Sequence, residues 1–295
     1  MKKTLLLAVS ILSIQLSFSQ QEEIPIKEKK NEVFKKINTR KGQFFASWGW
    51  NRGLYSKSDI SFKGDDFDFT IYDVKADDKP NPFGIKFLSP GDLTLPQTNY
   101  RLGYFVKDNY NIIIGADHMK YVMRNGQDVK IDGEISTGFY YSGNDFPSNY
   151  EGVYNNQTIN LSNDFLKFEH TDGLNYIFVG ANRFDNFNDL LGIRTDKFEI
   201  NLEEGFDVGF LMPRTNTTIL DNTRYDQFHV SGFGFSAKAG LNLTFFKHIY
   251  LQTDFKYGYI NMGDIRITED KSEKAKQHFG FFEAVYSFGY RFKIN

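Results

Sequence analysis

The sequence predicts an all-β fold: a transmembrane antiparallel up-and-down β-barrel of about eight strands, with long extracellular loops that carry hairpin extensions. The first observation behind it is the terminal stretch 278–295. Read two residues at a time, it sets Gly280, Phe282, Ala284, Tyr286, Phe288, Tyr290, Phe292 and Ile294 on one face. Phe279, Phe281, Glu283, Val285, Ser287, Gly289, Arg291 and Lys293 fall on the other. Strand side chains alternate between two faces, so a long aromatic face ending the chain suits a closing strand against lipid. The second observation is an aromatic content of 17%, with 31 Phe and 17 Tyr against 2 Trp, the side chains that fill a barrel's apolar band and its interfacial girdles. The third is that the same alternation recurs along the chain, as the elements below show. A soluble β-sandwich is the competing fold.

Composition bounds the compartment. Over 295 residues the mean hydropathy is only -0.46, with 40% hydrophobic and 24% charged residues, because a barrel strand turns just alternate residues to lipid. The net charge of -2, without a basic face or tail, argues against nucleic acid as a partner. The absence of cysteine excludes disulfides, thiol chemistry and a lipidated cysteine anchor. Lys2 and Lys3, an apolar run from Leu5 to Leu16, and Ser17 to Ser19 read as a secretory signal over residues 1–19. The run is too short to span a bilayer. Residues 20–41, rich in Glu and Lys, read as a periplasmic tail, a disordered lead-in in preference to a short helix over 31–37. The barrel domain is then 42–295.

Taken in order, Phe44, Ala46, Trp48 and Trp50 oppose Gln43, Ser47, Gly49 and Asn51 in the first wall strand, with Phe45 as the exception. Ile60 and Phe62, a turn at Gly64 to Asp66, and Phe67, Phe69 and Ile71 form a hairpin. Pro80, Pro82, Pro90 and Pro96 follow, so 56–96 is expected to be a long outward loop with its own strand pair. Residues 97–107 and 110–124 alternate around the Lys107 to Asn109 turn, and Asn125 with Gly126 reads as a two-residue hairpin leading into Val129, Ile131 and Ile135. Residues 136–163, rich in Ser, Asn, Gly and Tyr, read as loop. In 165–184 the alternation weakens, and Gly173 marks a bulge. Residues 197–212 alternate apart from Glu204, and 229–245 with 249–264 form the clearest hairpin. With 278–294 these make eight spans; ten result if the 60–76 hairpin joins the wall. An even number puts both termini in the periplasm, with the short turns.

The signal, the alternating hairpins and the terminal YSFGYRFKIN resemble Gram-negative outer-membrane β-barrels of OmpA and OmpX size, over the whole chain after about residue 41. More narrowly, SKSDISFKGDDFDFTIYDVKADDKP, DHMKY, HTDGLNY, PRTNTT and GYINMGDIRIT resemble an uncharacterised barrel family common in Bacteroidetes, which implies a fold and an outer-membrane location but no activity. The resemblance also makes Tyr290, Phe292 and Ile294 the signal read by the barrel-assembly machinery, although here the final residue is Asn295.

Charges of both signs fall on the lumen phase: Arg101, Glu199, Glu203, Asp207, Lys238, Asp254, Lys256, Glu283 and Arg291. An eight-stranded interior is filled by side chains, so a salt-bridge network is preferred over an ion path or a catalytic cluster. Asp117 and His118 are adjacent and should face opposite ways, whereas His170 and Asp172 can share a face. His229 and Ser231 lie two apart on the predicted lipid-facing phase near the outer rim, a spacing similar to that of outer-membrane lipid A deacylases. The Asn that follows the serine in those enzymes is Gly232 here. No phosphate loop, paired metal-binding histidines or calcium-loop spacing occurs, so no metal and no cofactor is expected. The preferred function is a structural or binding role through the loops 56–96 and 125–163. The alternatives are a lipid A-modifying acyl hydrolase using the rim His/Ser pair, and a narrow pore. Expected partners are outer-membrane lipid and lipopolysaccharide, the barrel-assembly machinery, and an extracellular or envelope protein ligand.

Overall fold

A computed structural model of the chain describes residues 39–81, 97–136, 150–220 and 224–294. The signal segment, most of the tail, the proline-rich stretch and the middle of the 136–163 loop lie outside the described residues.

Eight strands form a closed antiparallel ring. They are β1 (Gln43–Tyr55), β5 (Thr98–Lys107), β6 (Tyr110–Met123), β9 (Leu166–Asn186), β10 (Phe198–Pro213), β12 (Gly232–Phe245), β13 (Ile249–Arg266) and β14 (Lys274–Lys293). Each pairs with its neighbour in that order, and β1 closes on β14 from Gln43↔Lys293 to Tyr55↔Phe281. Closure removes the free edges that a lone membrane strand would expose. The ring matches the eight predicted spans, and the ten-strand alternative fails because the 60–76 hairpin is outside it.

Strand phase decides what each face meets. Outward residues in the half nearest the short turns are apolar: Ile112 and Ile114 on β6, Phe206 and Val208 on β10, Leu251 and Tyr257 on β13, all well exposed. Glu204, which breaks the alternation of β10, stands opposite Arg183 of β9, so the outward charge has a cationic neighbour. The inward residues of the same levels are buried and largely polar, with Phe45, Ile113, Phe178 and Tyr250 packed among them.

Four other strands extend the sheet beyond the ring at the opposite end. β2 (Ser58–Lys63) continues β1 after a break at Ser56 and Lys57, and pairs with the upper part of β14. The path then runs through β3 (Phe67–Val74) and β7 (Asp128–Ile135) to β8 (Gly152–Asn160). Two short strands, β4 (Ala76–Asp77) and β11 (Asn216–Ile219), tie onto β6 and β9. Together with the upper ends of the ring strands they enclose an aromatic core. Phe62 stacks on Phe69 with ring centroids 5.2 Å apart and meets Phe168 edge-on at 5.5 Å; Tyr121 stacks on Phe279 at 4.9 Å.

Two sequence expectations are corrected in this cap. Asn125 and Gly126 do make a tight turn, and Gly126 needs its positive φ of 71°, but the flanking strands do not pair with each other. β6 goes on to β9 and β4, while β7 lies between β3 and β8, because Ile131 and Ile135 are drawn into the aromatic core. Residues 152–160, expected to be loop, form β8, since backbone pairing to β7 overrides their Asn-rich composition. The Gly173 bulge is present: Met119↔Leu174 and Tyr121↔His170 leave extra residues on β9, and Gly173 takes a φ of 141°.

Candidate functional site

Within the ring, inward phase brings the charged residues together. Lys256 places Nζ 2.6 Å from Asp117 Oδ2 and 3.3 Å from Asp207 Oδ2, and it sits 4.3 Å from the centroid of the Phe178 ring. Arg101 pairs with Asp117 and lies over the same ring. Lys238 bridges Glu203 at 2.7 Å and Asp254 at 3.7 Å. Near the short-turn mouth, Arg291 approaches Glu199 at 3.8 Å, and Arg40 reaches the same carboxylate at 3.1 Å. Glu283 is fully buried; its Oε1 accepts from Asn99 Nδ2 at 3.2 Å, while Oε2 has no hydrogen-bond partner.

All nine residues read as lumen-facing are buried, in two hydrogen-bonded groups, one around Lys256 and one running from Lys238 to Arg291. Three members were not read from sequence. Asp117 was considered only with His118, although Asn111, Ile113 and Asp117 share the inward phase. Asn99 lies opposite Asp117 in register. Arg40 was assigned to the tail, yet its side chain is buried against Asn201 and Glu199, so the mouth is filled from outside the strands. Within the network a cavity of about 10 Å3, bordered by Ser47, Arg101, Glu203, Lys238 and Asp254, has room for about one water. Side chains thus fill the lumen at this level.

Above it a polar chain runs through the cap core. His170 is fully buried; with its proton on Nε2 it donates to Gln277 Oε1 at 3.2 Å and accepts at Nδ1 from the Thr215 hydroxyl at 2.9 Å. Gln277 Nε2 donates to Ser58 Oγ, which meets the Tyr121 hydroxyl at 3.0 Å. Burial away from water depresses the His170 imidazole to about 4. Asp172 does not share this face. The bulge at 171–173 turns it outward, where it pairs with Arg224 at 2.9 Å. His118 bonds through Nδ1 to Asn175 and points away from Asp117, as strand alternation requires.

At the rim, His229 Nε2 lies 2.8 Å from Asp264 Oδ2, supplying the carboxylate neighbour that the sequence did not reveal. Ser231 is not lipid-facing. Ser231 lies just before β12, which begins at Gly232, so strand parity does not extend to it, and it is buried. Its hydroxyl donates to the His229 carbonyl oxygen at 3.3 Å rather than to the imidazole, so no base is bonded to the nucleophile. Among the described residues no group of three or more His, Cys, Asp or Glu side chains could hold a metal ion. Tyr290, Phe292 and Ile294 are exposed on the outer face at the short-turn end.

No family model matches the chain, and no curated protein matches it. Among solved structures it is similar to the attachment invasion locus protein Ail of Yersinia pestis, at 11% identity and a TM-score of 0.31, covering 85% of this chain and 99% of that one. The outer membrane protein OprG from Pseudomonas aeruginosa matches at 9% identity and a TM-score of 0.33, over 86% and 98% of the two chains. Neisserial surface protein A matches at 10% and 0.31, over 86% and 97%. The barrel assignment here rests on the strand pairings themselves.

Proposed function

We propose that the chain is an outer-membrane barrel that holds a rigid, aromatic-cored cap above the lipid and acts by binding through that cap, in a structural or adhesive role. The observation that carries this reading is the filled interior: salt bridges occupy the ring and aromatic side chains the cap, leaving the outer surface of the cap for function. An outward apolar belt of Phe, Leu, Ile and Tyr around a polar interior is the arrangement a bilayer selects. In this reading the short turns and both termini face the periplasm, the cap faces outward, and Tyr290, Phe292 and Ile294 guide assembly. The hydrolase and pore alternatives receive no support from the Ser231 geometry or from the filled lumen.

The native chain has no cysteine, so single cysteines report cleanly. A cysteine at Asn155 on β8 is expected to react with a membrane-impermeant maleimide on intact cells, whereas one at Asn109 in a short turn reacts only after lysis. Equal labelling of both would overturn the orientation. In planar bilayers the refolded protein is expected to stay silent, and steady single-channel conductance would overturn the closed interior.

A further inference from the structure

We infer that Arg266, Lys274 and Lys276 form a site for a phosphate group carried by a lipid headgroup, placed where the apolar belt gives way to the cap. The inference rests on the reading that the belt lies in a bilayer. Directly opposed residues of antiparallel strands share a face, and here Arg266 of β13 opposes Lys274 of β14, which opposes Lys63 of β2. Three cations thus stand in a row across three strands. Only Lys63 is neutralised, by Asp68 at 2.7 Å. Lys276 lies two residues below Lys274 on the same face, about 7 Å along the strand. Among the described residues none of Arg266, Lys274 and Lys276 has an ion pair, and Arg266 Nε and Nη1 are shielded from water without a hydrogen-bond partner.

Like charges opposed on a sheet repel, so this arrangement is complete only with an anion. Three carboxylates are near: Asp264, Glu269 and Glu273, the last buried beside Lys274 and accepting from the Thr268 hydroxyl. Asp264 is engaged by His229, and its carboxyl is held below the usual range by that hydrogen bond, with Arg266 and Lys274 contributing; Glu269 is exposed to solvent. Three cations on two adjacent strands match the three terminal oxygens and up to two charges of a phosphomonoester better than they match a single carboxylate.

The position selects a lipid as the carrier. Asp264 N–H donates to the Ser231 carbonyl, which sets the cluster beside exposed Val230, and further down the same strands lie exposed Tyr257 and Phe282. An acyl chain descending from the headgroup would follow these side chains.

The test uses the full-length barrel in phosphatidylcholine nanodiscs containing either bisphosphorylated lipid A or its dephosphorylated form, with bound lipid counted by native mass spectrometry. Wild type is expected to prefer the phosphorylated form by about tenfold or more, as for the loss of one or two charge-assisted hydrogen bonds. Arg266→Ala with Lys274→Ala is expected to abolish the preference, and Lys274→Arg to keep it. Heat-modifiable migration checks that each variant is folded. An unchanged preference in the folded double variant overturns the site. Inorganic phosphate competing as tightly as the lipid overturns the headgroup as its source. Failure of wild type to enter the discs would instead count against the membrane reading.

Discussion

The ring and the cap are built from the same strands with opposite interiors. On β13 the inward residues are Gln252, Asp254 and Lys256 in the ring, then Ile260, Met262 and Ile265 in the cap. On β14 they run from Arg291 and Glu283 to Phe281, Phe279 and Ala275. On β13 the phase holds from Gln252 to Met262 and slips once, at a bulge before Ile265, and on β14 it holds throughout; what changes between the levels is the solvent outside. In water, burial of apolar area drives the interior together, so the cap is filled with phenyl rings. Against lipid, which is as apolar as leucine, that drive weakens, and hydrogen bonds, ion pairs and cations set over rings such as Phe178 and Phe184 hold the interior. The difference teaches that strand phase specifies a face, while the medium specifies which residues suit it.

Lys256 is where this contrast can be broken most severely. Lys256→Met removes the partner of two buried carboxylates, Asp117 and Asp207, and is expected to cost about 3–5 kcal/mol, as for one half of any buried ion pair. Urea unfolding followed by heat-modifiable migration would measure it. Adding Asp117→Asn and Asp207→Asn should recover much of the loss, because the penalty comes from stranded charge. A triple variant no better than Lys256→Met would mean that the ring is held by packing, as the cap is.

These two interiors were unequally legible in the sequence. The ring could be read because lipid and lumen impose opposite chemistry on alternate residues, so Glu283 and Arg291 fall on one face by counting. The cap could not, because Phe62, Phe69 and Ile71 alternate just as lipid-facing residues do, and nothing local says that they point into a core. β8 was missed since Asn155, Asn156 and Gln157 carry loop chemistry and become a strand only through a partner. Asp264 meets His229 from another strand, and spacing along the chain cannot show that. Ser231 was misplaced because parity holds only inside a strand, and β12 starts at Gly232.

A smaller effect separates the two levels by pH. His170 sits in the cap portion of β9, above the belt, and is buried neutral with its pKa pushed down from 6.5 to about 4. An opened cap exposes an ordinary imidazole that binds protons more readily, so stability rises with pH across this window. The contribution is full above about 6.5 and is lost as pH falls toward about 4, by about 3 kcal/mol in all. Once corrected for the slower intrinsic exchange at low pH, the protection factors of cap amides are expected to fall on acidification from neutral pH to about 4.5 while those of the ring amides hold. His170→Gln should flatten this dependence between the two limits. An equal loss of protection in the ring would show that cap and ring open as one unit.

The smallest effect compares two aromatic neighbours on one strand. Phe279 is buried, stacked on Tyr121 and edge-on to Tyr55 at 5.6 Å, whereas Phe282, on the opposite face, turns toward lipid. Phe279→Leu keeps an apolar side chain but loses the ring contacts, an expected cost of about 1 kcal/mol. Phe282→Leu exchanges one lipid-compatible side chain for another and is expected to cost only a few tenths of a kcal/mol, since the lipid fills the vacated space. Thermal midpoints of the two variants in the same detergent provide the comparison. If Phe282→Leu proved the more costly, its ring would be packed against a protein partner at that level, and the line between cap and membrane would have to be drawn lower on β14.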